Sequence, residues 1–217
     1  MRYVIFDMDG VLLDSEIGFF TMFRETLKTI GIEETLEDLL ARYVGMTTRA
    51  IAADVLRRHD ADITVDAFMA MKDHEGDFYA SCDAVKPFDG LCAFLEFLRS
   101  RGIRMAVVSS TCSRDVLNAL NRMDVLKWFD AVVCGDTVTE SKPSPQGYRK
   151  AMVYLGAAPS ECIIVEDSRN GVQAALNAGV YVAAFKGSAV LQDTSKADLE
   201  AYSYAELQRK LLEKALI

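Results

Sequence analysis

Two carboxylates follow the first apolar stretch of the sequence directly. Asp7 and Asp9 come after the run Arg-Tyr-Val-Ile-Phe and before Gly10. A strand that runs straight into two carboxylates places them at the C-terminal edge of a parallel sheet, where open α/β sheets bind their ligands. Because Gly10 lets the chain turn away at once, the two carboxylates are free to take different roles. The pair therefore offers one candidate nucleophile and one candidate acid/base.

Two aspartates that are two positions apart are by themselves weak evidence for a catalytic site, and the sequence contains a second such pair. Asp60 and Asp62 lie in a polar stretch after a helix pattern and next to no predicted strand. We interpret this second pair as a solvated turn. The strand before Asp7 and the glycine after Asp9 are what distinguish the first pair.

Three further polar clusters follow later apolar runs or lie in the loops beyond them. Ser109 and Ser110 offer hydroxyl and backbone N–H groups just before a helix, which suits a phosphate oxygen, although a plain turn explains them equally well. Lys142 taken alone fits a solvated surface charge. Glu166 and Asp167 end a buried run, where two carboxylates are costly unless a cation neutralises them. Ligands that are all oxygen suit Mg²⁺.

The elements that would position these clusters alternate between strand and helix. We predict five strands, at residues 2–6, 103–109, 131–134, 162–166 and 180–185, with amphipathic helices between the later ones. This alternation predicts an α/β fold, a Rossmann-like parallel sheet with helices on both faces. In a parallel sheet the carboxyl ends of the strands meet at one edge, so the four clusters are expected to converge there.

One long stretch interrupts the alternation. Residues 15–81 show helix patterns and no convincing strand, with Phe20, Phe23 and Leu27 on one helical face. Thr35 and Asp38 resemble a capping box at the start of a second helix. We therefore predict an inserted helical bundle over residues 15–81 and an α/β domain formed by residues 1–14 and 82–217.

Composition excludes several classes of function. The 217-residue chain carries a net charge of −8 and a pI near 4.9, which disfavours nucleic acid and anionic membranes as partners. With two histidines it cannot build a three-histidine zinc site. No apolar run approaches the roughly 18–20 residues that span a bilayer. The first residues show no signal-peptide pattern, so we expect a cytoplasmic protein, and we expect a monomer.

The four clusters, in this order, resemble the four motifs of the haloacid dehalogenase superfamily. The matching stretches are Asp7-Met-Asp9-Gly-Val-Leu-Leu-Asp14-Ser15-Glu16, Val107-Val-Ser109-Ser, Ser141-Lys142-Pro-Ser-Pro145 and Val165-Glu166-Asp167-Ser168-Arg-Asn170-Gly171. Within the superfamily the chain is most similar to the β-phosphoglucomutase-like phosphatases. The insertion at 15–81 lies where that branch carries its helical cap domain, so the resemblance covers the whole chain.

The resemblance implies a role for each matched residue. Asp7 would attack phosphorus and form an aspartyl-phosphate, and Asp9 would protonate the leaving oxygen and then deprotonate the hydrolytic water. Ser109, Ser110 and Lys142 would hold the oxygens of the transferring phosphoryl group.

The resemblance also implies a cofactor and a substrate contact. Mg²⁺ would be bound by Asp7, Asp167 and the backbone carbonyl of Asp9, and Glu166 would be a ligand or hold one in place. In this branch the loop before Arg49 faces the active site. Arg49 would accordingly either touch a polar substrate or remain a solvated arginine at a helix start.

The implied activity is Mg²⁺-dependent hydrolysis of a small phosphorylated metabolite such as a sugar phosphate. A phosphomutase of the same fold is the alternative, but its cap histidine falls at Phe19 and its cap lysine near Glu75. Because neither position can bind a second phosphate in this way, we predict net hydrolysis. Lys72 is another cap cation that could bind the second phosphate instead.

Two further classes of protein fit the sequence poorly. A signalling receiver domain is excluded by the insertion and the length, and a binding module without turnover has no support because no member of the catalytic set is missing.

Overall fold

A parallel sheet forms the centre of the protein. The computed structural model describes residues 1–74, 78–81 and 85–217. Within these residues the sheet has six strands, β1 (Tyr3–Phe6), β2 (Arg104–Val108), β3 (Ala131–Val133), β4 (Cys162–Glu166), β5 (Tyr181–Phe185) and β6 (Leu199–Ala201). Their order is β3-β2-β1-β4-β5-β6, and every neighbouring pair is parallel. The predicted α/β fold is confirmed.

The predicted number of strands was wrong by one. The missed strand, β6, has three residues and pairs with β5 at the sheet edge. Its central residue is the charged Glu200, so β6 shows no continuous apolar run of the kind that marked the equally short β3. The strand that precedes Asp7, β1, lies between β2 and β4 in the interior of the sheet.

Helices cover both faces of the sheet because successive side chains of a strand point to opposite faces. In β1, Val4 and Phe6 pack into the apolar cluster on one face, and Tyr3 and Ile5 pack into the cluster on the other. The helices that follow the insertion are α6 (Leu91–Ser100), α7 (Ser113–Arg122), α8 (Gln146–Leu155), α9 (Arg169–Asn177) and α10 (Tyr204–Glu213). Single turns of 3₁₀ helix lie at Leu126–Trp128, Gly135–Thr137 and Pro159–Glu161.

Within the described residues, five helices follow β1 and precede α6. They are α1 (Glu16–Thr29), α2 (Leu36–Tyr43), α3 (Thr48–Arg58), α4 (Val65–His74) and α5 (Phe78–Ser81). An apolar cluster that includes Phe20, Phe23, Leu39, Val55 and Phe68 packs the first four together. The division into a cap domain at 15–81 and a core domain stays a prediction, and its boundary at residue 82 falls outside the described residues.

Two local expectations for the insertion are confirmed. The hydroxyl of Thr35 accepts a hydrogen bond from the backbone N–H of Asp38 at 3.0 Å and so caps α2. Asp60 and Asp62 are exposed in the turn after α3, as expected for the second aspartate pair. None of the helices in the described part of the chain combines the length and apolar character needed to span a membrane.

Candidate active site

Three buried carboxylates meet where β1 and β4 end. The backbone N–H of Asp7 donates to the carbonyl of Val165 at 2.9 Å, so the pairing of the two strands continues up to Asp7. Oxygens of Asp7, Glu166 and Asp167 consequently lie within 4.8 Å of one another. Gly10 has a φ of 75°, and a Cβ there would lie 1.9 Å from Oδ2 of Asp167. The glycine after the first aspartate pair is therefore required by this close approach as well as by the turn.

A buried lysine joins two of these carboxylates. The Nζ of Lys142 donates to Oδ1 of Asp7 and to Oε1 of Glu166, at 2.6 Å in each case. Burial and the Glu166 charge raise the pKa of Asp7 to about 8, although Lys142 opposes the shift. Burial would lower the pKa of Lys142, but the charges of Asp7 and Glu166 outweigh it and raise that pKa. Lys142 is therefore a charged member of the site and not a surface lysine.

Glu166 has its hydrogen-bonding capacity filled by the protein itself. Besides Lys142, the hydroxyl of Tyr148 donates to Oε1 at 2.5 Å. The other oxygen, Oε2, accepts from the N–H groups of Asp167 and Ser168 and from the Ser168 hydroxyl. A Cβ at Gly171 would lie 1.8 Å from Oε1, so α9 begins directly against this carboxylate. The arrangement suits Glu166 for holding Lys142 and the start of α9 in place.

Asp167, unlike Glu166, has a carboxylate oxygen that the described residues leave without a hydrogen bond. Its Oδ2 atom is a buried polar atom that has no hydrogen-bond partner within the described part of the chain. Burial and the charges of Glu166 and Asp7 raise its pKa well above the usual value. An orphaned buried carboxylate oxygen next to two more carboxylates is a donor set that fits a hard divalent cation such as Mg²⁺.

Asp9 lies on the side of Asp7 that faces the insertion, and three hydroxyl groups hold it. Ser15 and Tyr79 donate to Oδ1 at 2.5 and 2.8 Å, and Thr111 donates to Oδ2 at 3.1 Å. Burial raises the pKa of Asp9, and these three hydrogen bonds oppose that shift. Neither Tyr79 nor Thr111 was predicted as an Asp9 partner, because both are remote from it in sequence.

Ser109, Ser110 and Arg49 take three different positions. Ser109 is buried at the end of β2, where its hydroxyl accepts a hydrogen bond from the N–H of Thr111 at 3.0 Å. Ser110 donates to the carbonyl of Gly45 at 3.2 Å and so contacts the loop between α2 and α3. Arg49 is exposed and pairs with Asp66. It is absent from the described lining of the cavity over Asp7.

That cavity lies between the carboxylates and the inserted helices. Asp7, Asp9 and Thr111 line its core side, and Glu16, Phe19 and Tyr79 are among the residues on its other side. It holds about 420 Å³ of space not filled by protein atoms, a volume that includes open solvent at its mouth. Glu16 was not predicted as a site residue. Its signal in the sequence was a charged residue on the same helical face as Phe20 and Phe23, which is otherwise apolar.

Comparison with known proteins agrees with this geometry. The family model of haloacid dehalogenase-like hydrolases matches residues 4–185. A phosphorylated carbohydrates phosphatase of Thermotoga maritima is 34% identical over 83% of this chain and 82% of its own. A phosphoglycolate phosphatase of Aquifex aeolicus is 32% identical over 84% of each chain. The crystal structure of Rhodobacter sphaeroides CbbY with xylulose 1,5-bisphosphate superposes with a TM-score of 0.85 at 25% identity, covering 95% of this chain and 96% of that one.

Proposed function

This chain belongs to the haloacid dehalogenase-like hydrolases, and we propose that it uses Mg²⁺ to hydrolyse a small phosphorylated metabolite, with sugar phosphates as the substrate class. The enzyme is a phosphoric monoester hydrolase. The observation that carries the proposal is the buried Asp7 carboxylate, which Lys142 holds beside an Asp167 oxygen that has no hydrogen-bond partner among the described residues. We further propose that it works as a cytoplasmic monomer without nucleic-acid or membrane partners.

Asp7 and Asp9 divide the reaction between them. A carboxylate oxygen of Asp7 attacks phosphorus, the bond from phosphorus to the leaving oxygen breaks, and Asp9 gives its proton to that oxygen. Asp9 then takes a proton from water as the water attacks the phosphorus of the Asp7 phosphate. Inorganic phosphate leaves, and both carboxylates return to their starting states. The hydrogen bonds from Ser15, Tyr79 and Thr111 support this assignment because they fix the Asp9 carboxylate at the cavity.

Mg²⁺ would be held by Asp7, Asp167 and the backbone carbonyl of Asp9. When bound, it neutralises negative charge on the transferring phosphoryl group. Glu166 is proposed to act through Lys142, because five hydrogen bonds already occupy its two oxygens. Lys142 supplies a fixed positive charge for the phosphoryl oxygens, with the Ser109 hydroxyl and the Ser110 region as further contacts.

A phosphomutase needs groups that hold a second phosphate, and the cavity gives this alternative little support. Phe19, at the position of the mutase histidine, lines the cavity with a ring that cannot carry a proton. Glu75 and the side chain of Lys72 lie outside the described part of the structure. We therefore propose net hydrolysis of a monophosphate without a bisphosphate activator.

Phosphate release from a panel of sugar phosphates, phosphoglycolate and nucleoside monophosphates tests the proposal. We expect release that is lost in EDTA and restored by Mg²⁺. Activity on none of them would contradict the phosphatase assignment. ³¹P NMR of β-glucose 1-phosphate with a trace of glucose 1,6-bisphosphate separates the two reactions, since glucose 6-phosphate without inorganic phosphate would identify a mutase.

A further inference from the structure

A buried carboxylate in the cavity has no part in the chemistry described above. Glu16, the first residue of α1, is 6% exposed and lines the cavity together with Asp7 and Asp9. Among the described residues, none donates a hydrogen bond to its carboxylate or forms an ion pair with it. Buried polar side chains are nearly always hydrogen-bonded, so a group that lacks a partner inside a cavity is a candidate for binding a ligand.

The position of Glu16 on its helix makes a purely structural role hard to justify. Glu16, Phe20 and Phe23 follow the spacing of one helical face, and the two phenylalanines are buried in the apolar cluster of the insertion. An apolar residue at position 16 would continue that face at no electrostatic cost. Burial and the charges of Asp9 and Asp7 raise the pKa of Glu16 well above its usual value, which shows the same unfavourable surroundings.

The described residues that line the cavity offer acceptors and hydroxyls, and none of them carries a positive charge. Its described lining contains Asp7, Asp9 and Glu16 and includes no lysine, arginine or histidine. Lys142 is not one of these lining residues, and its charge is already shared between Asp7 and Glu166. A leaving group that carried its own carboxylate or phosphate would therefore meet three carboxyl groups without a counter-charge. A leaving group with hydroxyls would find an acceptor in Glu16.

We propose that Glu16 is a specificity-determining residue that accepts hydrogen bonds from hydroxyls of the leaving group. The enzyme would then favour monophosphates of neutral polyols, such as monosaccharides, over phosphoglycolate. This inference rests on the proposed phosphatase function. The relatives do not decide between the two substrates. The phosphatase named for phosphorylated carbohydrates and the one named for phosphoglycolate have nearly the same sequence identity to this chain, 34% and 32%.

Aromatic side chains next to Glu16 fit the same class of leaving group. Phe19, Phe20 and Tyr79 line the same cavity, and the rings of Phe19 and Phe20 are in edge-to-face contact with centroids 5.1 Å apart. The apolar face of a sugar ring packs on an aromatic ring while its hydroxyls point to polar groups at the edge.

The test compares kcat/KM for three monoesters in the wild type, Glu16→Gln and Glu16→Ala. The substrates are the best monosaccharide monophosphate of a panel, 2-phosphoglycolate, and p-nitrophenyl phosphate, which has neither hydroxyls nor a charged leaving group. Glu37→Gln, an exposed change on α2, is the matched control. Thermal unfolding of each variant reports whether it folds.

We expect the wild type to prefer the sugar phosphate over phosphoglycolate by about 100-fold, because unpaired buried polar groups discriminate strongly. In Glu16→Ala, kcat/KM for the sugar phosphate should fall by about 10- to 100-fold, mainly because KM rises. For p-nitrophenyl phosphate, kcat/KM should stay within about threefold of the wild-type value. The kcat/KM for phosphoglycolate should rise in this variant.

Equal use of phosphoglycolate and sugar phosphates by the wild type would overturn the inference and leave the phosphatase proposal intact. An equal loss on all three substrates in both Glu16 variants would also overturn it, because it would show a structural or general catalytic role. Failure of the proposed function is distinct, since the wild type would then hydrolyse none of the three, including p-nitrophenyl phosphate.

Discussion

The amino group of Lys142 lies 2.6 Å from Oδ1 of Asp7, although 135 positions separate the two residues in the sequence. The same amino group contacts Glu166, and Asp167 adds a third carboxylate within 4.8 Å. One positive charge thus faces three carboxylates, which leaves two negative charges if all three ionise. A single divalent cation would balance them.

Replacing Lys142 by methionine keeps most of its volume and removes its charge. We expect kcat to fall by about 10²–10³, because the phosphoryl oxygens lose a fixed positive charge. The free energy of unfolding of the metal-free protein should fall by about 3–5 kcal/mol, as for other buried ion pairs that lose one partner. Steady-state kinetics and urea unfolding measure the two effects. Lys127→Met, at an exposed lysine, is the control, and turnover of Lys142→Met close to that of wild type would refute the role of Lys142.

Asp167→Asn should stabilise the metal-free protein while it weakens Mg²⁺ binding. The change removes a charge from a buried oxygen that has no partner among the described residues, and we expect a gain of about 1–2 kcal/mol. Added Mg²⁺ should raise the melting temperature of the wild type much more than that of the variant. Asp62→Asn, in the exposed turn, should change neither quantity. A variant that is less stable without metal would show that Asp167 has a structural partner.

The stabilisation by Mg²⁺ should grow with pH. In the metal-free protein, burial and Glu166 raise the pKa of Asp7 from 3.8 to about 8. Because the folded-state pKa is the higher one, this group contributes stability at low pH that is lost as the pH rises through about 8. Mg²⁺ binds the ionised carboxylate, so the gain in melting temperature should be larger at about pH 9 than at about pH 6. A gain that is independent of pH would contradict the assignment of Asp7 as a ligand.

Gly171→Ala tests whether Glu166 acts through Lys142. The added Cβ would lie 1.8 Å from Oε1 of Glu166, so the carboxylate has to move. We expect kcat to fall by about tenfold or more, since small displacements of a charged group in a site are costly. Gln173→Ala on the same helix is the control. Unchanged kcat together with a normal melting temperature would show that the position of Glu166 is not critical.

The sequence was sufficient for the parts of the fold that repeat regularly. The strands that flank the site, β1, β2 and β4, carry long apolar runs, and the polar clusters follow them at once. β6 has three residues with the charged Glu200 at its centre, and it therefore shows no apolar run. Its position depends on pairing with β5, which is a long-range contact.

The contacts around Asp9 and Glu166 could not be predicted from the sequence, because they also join residues that are far apart in the chain. Tyr79 and Thr111 reach Asp9 across 70 and 102 positions, and the sequence carries no sign of either contact. Glu16 is different, because a charged residue on an otherwise apolar helical face was visible in the sequence. Glu16 also ends the stretch that matches the first family motif, so its place in that motif and the charge on an apolar face both marked it.

The residue that carries the phosphoryl group during turnover tests the central claim most directly. The enzyme is quenched in acid while it hydrolyses its best substrate, reduced with borohydride, and digested for peptide mass spectrometry. We predict that the reduced aspartyl-phosphate product maps to Asp7 in the wild type and that Asp7→Asn neither forms it nor releases phosphate. A phosphoryl group on another side chain, or phosphate release by Asp7→Asn at the wild-type rate, would contradict the account.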